Sequence, residues 1–336
     1  MMSNILITGG LGYIGSHTVL SLLKDPQCRI IIIDDCSNSS LETLNTIEYL
    51  SKQQITFYQV DVRNYSKMHE IFCKEKIDAV IHFAAAKSVS ESIKNPELYY
   101  QNNIAALMIL LDVMRYRGVK KMIFSSSATV YSPSNDFPVS EEGELGYLSP
   151  YGQTKLISED ILIREHRQQA LDVCILRYFN PIGNDVSGTL GDRWLLSATN
   201  IMPMILKALH QKKSFCIYGK DYQTKDGTPV RDYIHVSDLA DAHRLSYAFL
   251  TNHNGCHIMN VGLGVGVSAF ELISTFNEVN QVNIPIEYLG RRDGDLPICY
   301  ANSDKIKSHL SWRPQFNLPD MCRDAYAFYK QTIRNV

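Results

Sequence analysis

Hydrophobic positions in the first half of the chain fall into short continuous runs. They are 4–8 (NILIT), 29–34 (RIIIID), 55–60 (ITFYQV), 78–83 (DAVIHF), 120–125 (KKMIFS) and 172–177 (DVCILR). Uninterrupted apolar runs of this length suit strands covered on both faces. Helical patterns lie between them. Asn95-Pro96 reads as an N-cap with proline at the first helical position, and Leu107, Leu110, Leu111 and Met114 form an apolar stripe that ends at Gly118. Strands alternating with helices predict an α/β fold: a doubly wound, mostly parallel Rossmann sheet.

The texture changes after Arg177. Residues 181–232 carry glycines, Pro203, Pro229 and polar loops, with a helix near 203–213 and a short strand at 214–218. A helix at 237–250, a strand at 257–261, a helix at 268–279 and alternation over Ile284-Pro285-Ile286-Glu287-Tyr288 follow. These predict a nucleotide-binding domain over about 1–180. Residues 181–336 then form a smaller α/β substrate lobe, with some segments returning to the first domain.

The chain has 336 residues, of which 45% are hydrophobic and 20% charged, excluding a disordered or fibrous chain. Its net charge of −2 argues against nucleic acid as a partner. No apolar run approaches 18 residues, so no membrane span is expected, and Ile5-Leu6-Ile7 is too short for a signal sequence. Eight dispersed cysteines without a CxxC pair read as buried thiols in a reducing compartment, the cytoplasm by default. His235 and His243 have no convincing third ligand, so no metal site is expected.

The first strand runs into TGGLGYIGSH, with Gly9, Gly12 and Gly15 at GxxGxxG spacing. Glycines there permit a tight turn and close approach of a pyrophosphate to the following helix N-terminus; read alone, the motif is a glycine-rich turn. Asp34 ends the second strand 19 residues after Gly15, suited to a ribose 2′-hydroxyl and hostile to a 2′-phosphate. Asp35 adds charge, so NAD is favoured over NADP. Asp61 is either an adenine-side residue or a turn cap.

Tyr151 and Lys155 stand four apart in YGQTK, on one helix face, where the ammonium can favour a phenolate. Ser127, just beyond the fifth run, can relay a proton to Tyr151 or simply close a serine-rich turn.

With these residues in hand, the chain resembles the extended short-chain dehydrogenase/reductase family, and within it the UDP-glucose 4-epimerases. The blocks that carry the likeness, besides those above, are HFAAAKSVSES, YYQNN, FSSSATVY, LRYFNPIG, TKDGTPVRDYIHVSDLA and RRDGDLP. The resemblance implies reversible C4 epimerisation of UDP-hexoses through a 4-keto sugar with bound NAD, by a homodimer; a 4,6-dehydratase is the alternative. It places Gly9, Gly12, Tyr13, Ile14 and Gly15 at the pyrophosphate, and Asp34, Asp35, Asn38 and Ser39 at the adenosine. Asp61, Val62, Phe83, Ala84, Lys87, Asn102 and Phe179 extend the NAD site. Asn180, Asn200, Tyr218, Arg231, Tyr233, Arg292, Asp295 and Cys299 surround the UDP-sugar, while Ser127, Tyr151 and Lys155 are catalytic. A small residue at Cys299 implies room for a C2 N-acetyl group. Two departures stand out: Ala85 in HFAAAK, and the segment Gly191–Leu195 before Asn200-Ile201-Met202-Pro203.

Overall fold

The computed structural model describes residues 3–192, 200–292 and 294–334. Residues 193–195 of the divergent segment lie outside the described residues. The chain divides into two units. The first contains the residues up to Ser132, then Glu144–Arg177 and Ala240–Met259; the second contains Pro133–Gly143 and the described residues of Tyr178–Leu239 and from Asn260 onward.

In chain order the elements of the first half are β1 (Ser3–Thr8), α1 (Tyr13–Leu22), β2 (Cys28–Asp34), α2 (Leu41–Ser51), β3 (Thr56–Gln59), α3 (Tyr65–Lys74) and β4 (Ala79–His82). Next come α4 (Val89–Lys94), α5 (Pro96–Tyr99), α6 (Ala106–Arg117), β5 (Lys121–Ser127), α7 (Pro150–Arg167) and β6 (Asp172–Tyr178). The six strands lie where the apolar runs predict them, within two residues. The sheet has seven strands in the order β10-β6-β5-β4-β1-β2-β3, where β10 is Cys256–Val261. β1 pairs in parallel with β2 and β4, placing Ile5 beside Ile30 and Ala79. The order reverses direction at β1, so the crevice between β1 and β4 opens at their carboxyl ends.

The helix expected from Asn95 to Gly118 is interrupted. A π-helical turn, Tyr100–Ala105, joins α5 to α6, and Gly118 closes α6 at φ 69°. The wider turn brings Asn103 inward, 3% exposed. Its amide donates to the Ala86 carbonyl at 3.1 Å and to Thr154 at 2.9 Å, and accepts from the Ala86 N–H at 2.8 Å. A buried amide with all these partners offsets the irregular helix.

The second unit adds β7 (Asn180–Ile182), α8 (Ile201–Gln211), β8 (Phe215–Tyr218), β9 (Val230–His235), β11 (Gly266–Ser268), α10 (Ala269–Asn280), β12 (Ile286–Leu289), β13 (Ile298–Cys299), α11 (Asp304–Leu310) and α12 (Leu318–Arg334), with α9 (Val236–Asn252) running from it into the first. β9 is the central strand, pairing with β7, β11 and β13. Its charged VRDYIH sequence conceals it among the polar loops expected for 181–232. The charge is absorbed because Asp232, fully buried, accepts from the amides of Leu263 (2.8 Å), Gly264 (3.0 Å) and Ala301 (3.1 Å).

Not all the cysteines are buried thiols. Cys28, Cys174 and Cys322 are, but Cys73 is exposed, because α3 turns Met68, Ile71 and Phe72 inward and leaves Cys73 on the opposite face.

Candidate active site

Gly9 joins β1 to the turn at φ 69°, a conformation suited to glycine. A Cβ on Gly9 would meet the Ala84 amide nitrogen at 2.7 Å, and one on Gly15 would meet the Gly9 carbonyl oxygen at 2.2 Å. The turn is therefore as tight as backbone allows, and it delivers the first-turn amides of α1 to its open side. Those amides have no acceptor inside the helix and suit a phosphate. This cradle, with an acidic residue at the end of β2, fits NAD.

Asp34 is only 6% exposed and is largely committed to the protein itself. One oxygen accepts from the Leu11 amide (3.0 Å); the other accepts from the Cys36 amide (3.0 Å) and the Ser39 hydroxyl (2.7 Å). A carboxylate has about four acceptor positions, so one remains for a ribose hydroxyl. Asp35 and Asn38 are exposed beside it, while Ser39 is buried. Asp61 is gripped by Arg63 through both carboxylate oxygens at 3.0 Å and caps the Arg63 amide at 2.8 Å, the turn-capping role. That pairing holds its carboxyl below the ordinary range. The Val62 side chain belongs to the first unit's core, which leaves only its backbone for a ligand. Phe83 donates its amide to Thr8 at 3.0 Å, keeping Phe83 and Ala84 against the glycine turn. Lys87 is exposed, with its Nζ 6.0 Å from the Tyr13 ring. Asn102 is half-buried; the amide doing structural work is its neighbour Asn103.

Ser127, Tyr151 and Lys155 come together at the end of β5 and the first turns of α7. Ser149 caps α7 by accepting from the Gly152 amide, with Pro150 following. The Ser127 oxygen accepts from the Thr129 amide at 3.2 Å and from the Thr129 hydroxyl at 3.0 Å. With its acceptor positions taken, the Ser127 hydroxyl is left to donate to the Tyr151 phenol. Thr129 is a member of the site that sequence spacing did not reveal; its only signal was its place two residues beyond Ser127.

Burial pushes the Tyr151 phenol up to about 12, opposed by the Ser127 hydrogen bond. Burial also brings the Lys155 ammonium down to about 8, opposed by the charge of Glu159. Lys155 bonds the backbone of β5. Its Nζ donates to the Ser125 carbonyl at 2.7 Å and lies 5.9 Å from the centre of the Tyr151 ring. Its influence on the phenol is thus through space.

In the second unit, Arg231 donates to the Val230 carbonyl at 2.7 Å and to the Asp295 carboxylate. Arg292 lies over the Tyr218 ring, 3.7 Å from its centre. Asn180 and Asn200 are exposed, and Asn200 begins α8 without spending its side chain on the cap. Cys299 pairs in register with Arg231 across β13 and β9, and burial raises its thiol to about 11. Phe179 is buried, its amide held by Val261 at 3.2 Å. Tyr233 is 2% exposed and packs in the second core with Met202, Ile205 and Tyr329. His235, bonded to Asp324 at 3.2 Å, stacks on Phe316.

A family model described as GDP-mannose 4,6 dehydratase matches residues 6–325. UDP-glucose 4-epimerase 2 of Arabidopsis thaliana is 41% identical over 97% of this chain and 95% of its own length. The structure of UDP-glucose 4-epimerase from Stenotrophomonas maltophila, with bound NAD and formylated UDP-arabinopyranose, matches at TM-score 0.96 and 38% identity over 99% of this chain and all of that one. That of the Bifidobacterium longum enzyme, in complex with NAD⁺ and UDP, matches at TM-score 0.93 and 36% identity with the same coverage. Taken with the glycine turn and the Ser127–Tyr151–Lys155 arrangement, these matches place the chain in the UDP-glucose 4-epimerase family of the extended short-chain dehydrogenase/reductases.

Proposed function

We propose that this chain interconverts UDP-glucose and UDP-galactose by inverting C4 of the hexose, with NAD held in the cradle of Gly9, Gly12 and Gly15. When bound, NAD supplies a hydride acceptor and donor for C4 and a positive ring charge. The chain's own residues handle the proton and the nucleotide. Tyr151 is the acid–base group for the C4 hydroxyl, and Ser127 is the hydroxyl through which that proton passes. Lys155 is the buried cation that favours the phenolate by charge. Arg231 and Arg292 bind the diphosphate, for which guanidinium forks are suited. The observation that carries this reading is the meeting of Ser127 and Tyr151, bonded to one another, with the Lys155 ammonium 5.9 Å from the phenol ring.

Purified, NAD-loaded protein given UDP-galactose, with no reductant added, should form UDP-glucose of unchanged mass. Folded, loaded protein that gives no conversion would refute the proposal. A product lighter by one water would show a dehydratase instead. Against that outcome, Ser127 is followed by Ala128-Thr129-Val130, with no acidic pair to eliminate water.

We also infer a homodimer joined through α7 and the helical segment Pro96–Arg117. Leu98, Tyr100, Met108 and Tyr116 expose 38%, 37%, 48% and 67% of their surfaces there. A concentration-independent monomer mass in solution would reject it. Eight free cysteines support a reducing, cytoplasmic setting.

A further inference from the structure

Three side chains of α7, spaced four apart, each attach to a different one of the last three residues of β5. Tyr151 bonds the Ser127 hydroxyl, Lys155 bonds the Ser125 carbonyl, and Glu159 accepts from the Ser126 hydroxyl. The third of these has no part in the reaction as described, yet it is the most deeply built. Glu159 is 1% exposed, and so is Arg177 of β6. Arg177 Nε donates to both carboxylate oxygens (3.0 and 3.2 Å) and its Nη2 donates again at 2.6 Å. Arg177 in turn donates to the Tyr131 hydroxyl at 3.1 Å. Four hydrogen bonds onto one buried carboxylate fill its acceptor capacity.

We propose that Glu159 is a positioning residue, whose carboxylate ties the end of β5 to α7 and supplies the negative charge facing Lys155. The inference rests on the roles given above to Tyr151 and Lys155. A buried Arg–Glu pair is a poor source of stability by itself, since desolvation consumes much of its attraction. Here it does what an apolar pair could not. It orients Ser126, and so its neighbour Ser127, and it opposes the loss of the Lys155 proton. Facing Lys155 are Tyr151 and Glu159 of α7 and, on β4, His82, which burial and Lys155 push down to about 3 and so keep neutral; Arg177 of β6 and Tyr131 after β5 lie beyond the Glu159 carboxylate. Glu159 opposes the effect of burial on Lys155. Without that charge the ammonium is lost at lower pH.

The test compares parent, Glu159→Gln and Glu159→Asp, with Glu165→Gln as a control on the same helix, where Glu165 pairs with Arg115 at 2.7 Å. In Glu159→Gln the alkaline limb of the kcat–pH profile should move down by on the order of one pH unit. At pH 8 its kcat should fall about fivefold, with KM for UDP-galactose within about twofold. Glu159→Asp should restore the limb but not the full kcat, because its carboxylate is retracted by one methylene. Amide exchange of the peptide Lys121–Ser127, read by mass spectrometry without substrate, should quicken in Glu159→Gln. A folded Glu159→Gln protein with the parent's pH profile and exchange overturns the proposal. If that variant does not fold, Glu159→Asp decides, and parent-like kcat and exchange overturn it. A parent without turnover would refute the functional reading instead, while the exchange comparison would still test the tie.

Discussion

Replacing Gly15 by alanine tests whether the nucleotide turn is limited by space. Gly15 is helical, so propensity alone would favour alanine by about 1 kcal/mol. Its Cβ, however, would stand 2.2 Å from the Gly9 carbonyl oxygen and 3.0 Å from Gly10 Cα. That oxygen has no room to withdraw. Gly9 donates to the Ile33 carbonyl at 2.8 Å and accepts from the Gly12 amide at 3.1 Å. Opening the turn by the missing ~1 Å forces α1 away from β1, an over-packing cost of about 3 kcal/mol. The net loss is about 2 kcal/mol. With an unfolding entropy of roughly 0.7 kcal/mol/K for a chain this long, melting should fall by about 3 °C.

Gly12 is the matched control. It sits at φ −69° and ψ 171°, and its Cβ would stand 3.3 Å from the same Gly9 oxygen, a squeeze of only a few tenths of an ångström where Gly15 lacks ~1 Å. Alanine there gains about 0.4–1 kcal/mol from the unfolded chain and loses a similar amount as a poorer N-cap. Stability should stay within about 0.5 kcal/mol, while the new methyl obstructs the phosphate side of the helix terminus. NAD affinity should drop at least about tenfold, or ~1.4 kcal/mol. The assay pairs calorimetric melts of NAD-stripped protein with titration of NAD. The reasoning fails if Gly15→Ala melts and binds like the parent, or if Gly12→Ala is the less stable of the two.

Tyr151→Phe should keep NAD and UDP binding while losing 10²–10⁴-fold in kcat, measured by coupled assay and calorimetry. Thr129→Val removes one donor to Ser127 and should cost about tenfold in kcat with little change in KM. His82, 3% exposed and bonded to Thr8 at 2.7 Å, is pushed from 6.5 down to about 3. Its contribution is therefore present above pH 6.5 and is lost on acidification; going from pH 7 to 5 should cost about 2 kcal/mol, a slope in urea midpoints that His82→Gln should flatten. If Cys299 leaves space at the sugar, the parent will also interconvert UDP-N-acetylglucosamine and UDP-N-acetylgalactosamine. Cys299→Tyr should then lose that pair selectively in kcat/KM; a parent inactive on acetylated sugars but active on UDP-galactose rejects the idea.

The first sheet was readable because its strands are covered on both faces, and burial on both faces writes itself as uninterrupted apolar runs. β9 was not, since a charged pair, Arg231-Asp232, stands in its middle and the reason for its burial lies elsewhere, in the amides of Leu263, Gly264 and Ala301. The π-helical turn was hidden for the same reason. Nothing within YYQNNIA calls for a wider turn; the partners of Asn103 are Ala86 and Thr154, 17 and 51 residues away.

Within the site, spacing revealed what one element holds and missed what two elements make together. Tyr151 and Lys155 share a helix face and could be paired from the sequence. Of the three consecutive serines of β5 the sequence singled out Ser127 and gave no role to its neighbours, although each does something different: Ser125 offers its carbonyl to Lys155, Ser126 its hydroxyl to Glu159, and Ser127 bonds Tyr151. The assignment comes from matching rises. Four residues of helix advance about 6 Å and two residues of strand about 6.6 Å. A helix docked along β5 can therefore meet Ser127 with Tyr151 and Ser125 with Lys155 one turn later. Ser126, between these two, is held by a third residue of the same helix, Glu159. A slip of β5 by one residue that brought Ala128 to the place of Ser127 would remove the hydroxyl from the phenol. By holding Ser126, Glu159 ties the residue beside the reacting serine to the helix that carries the phenol.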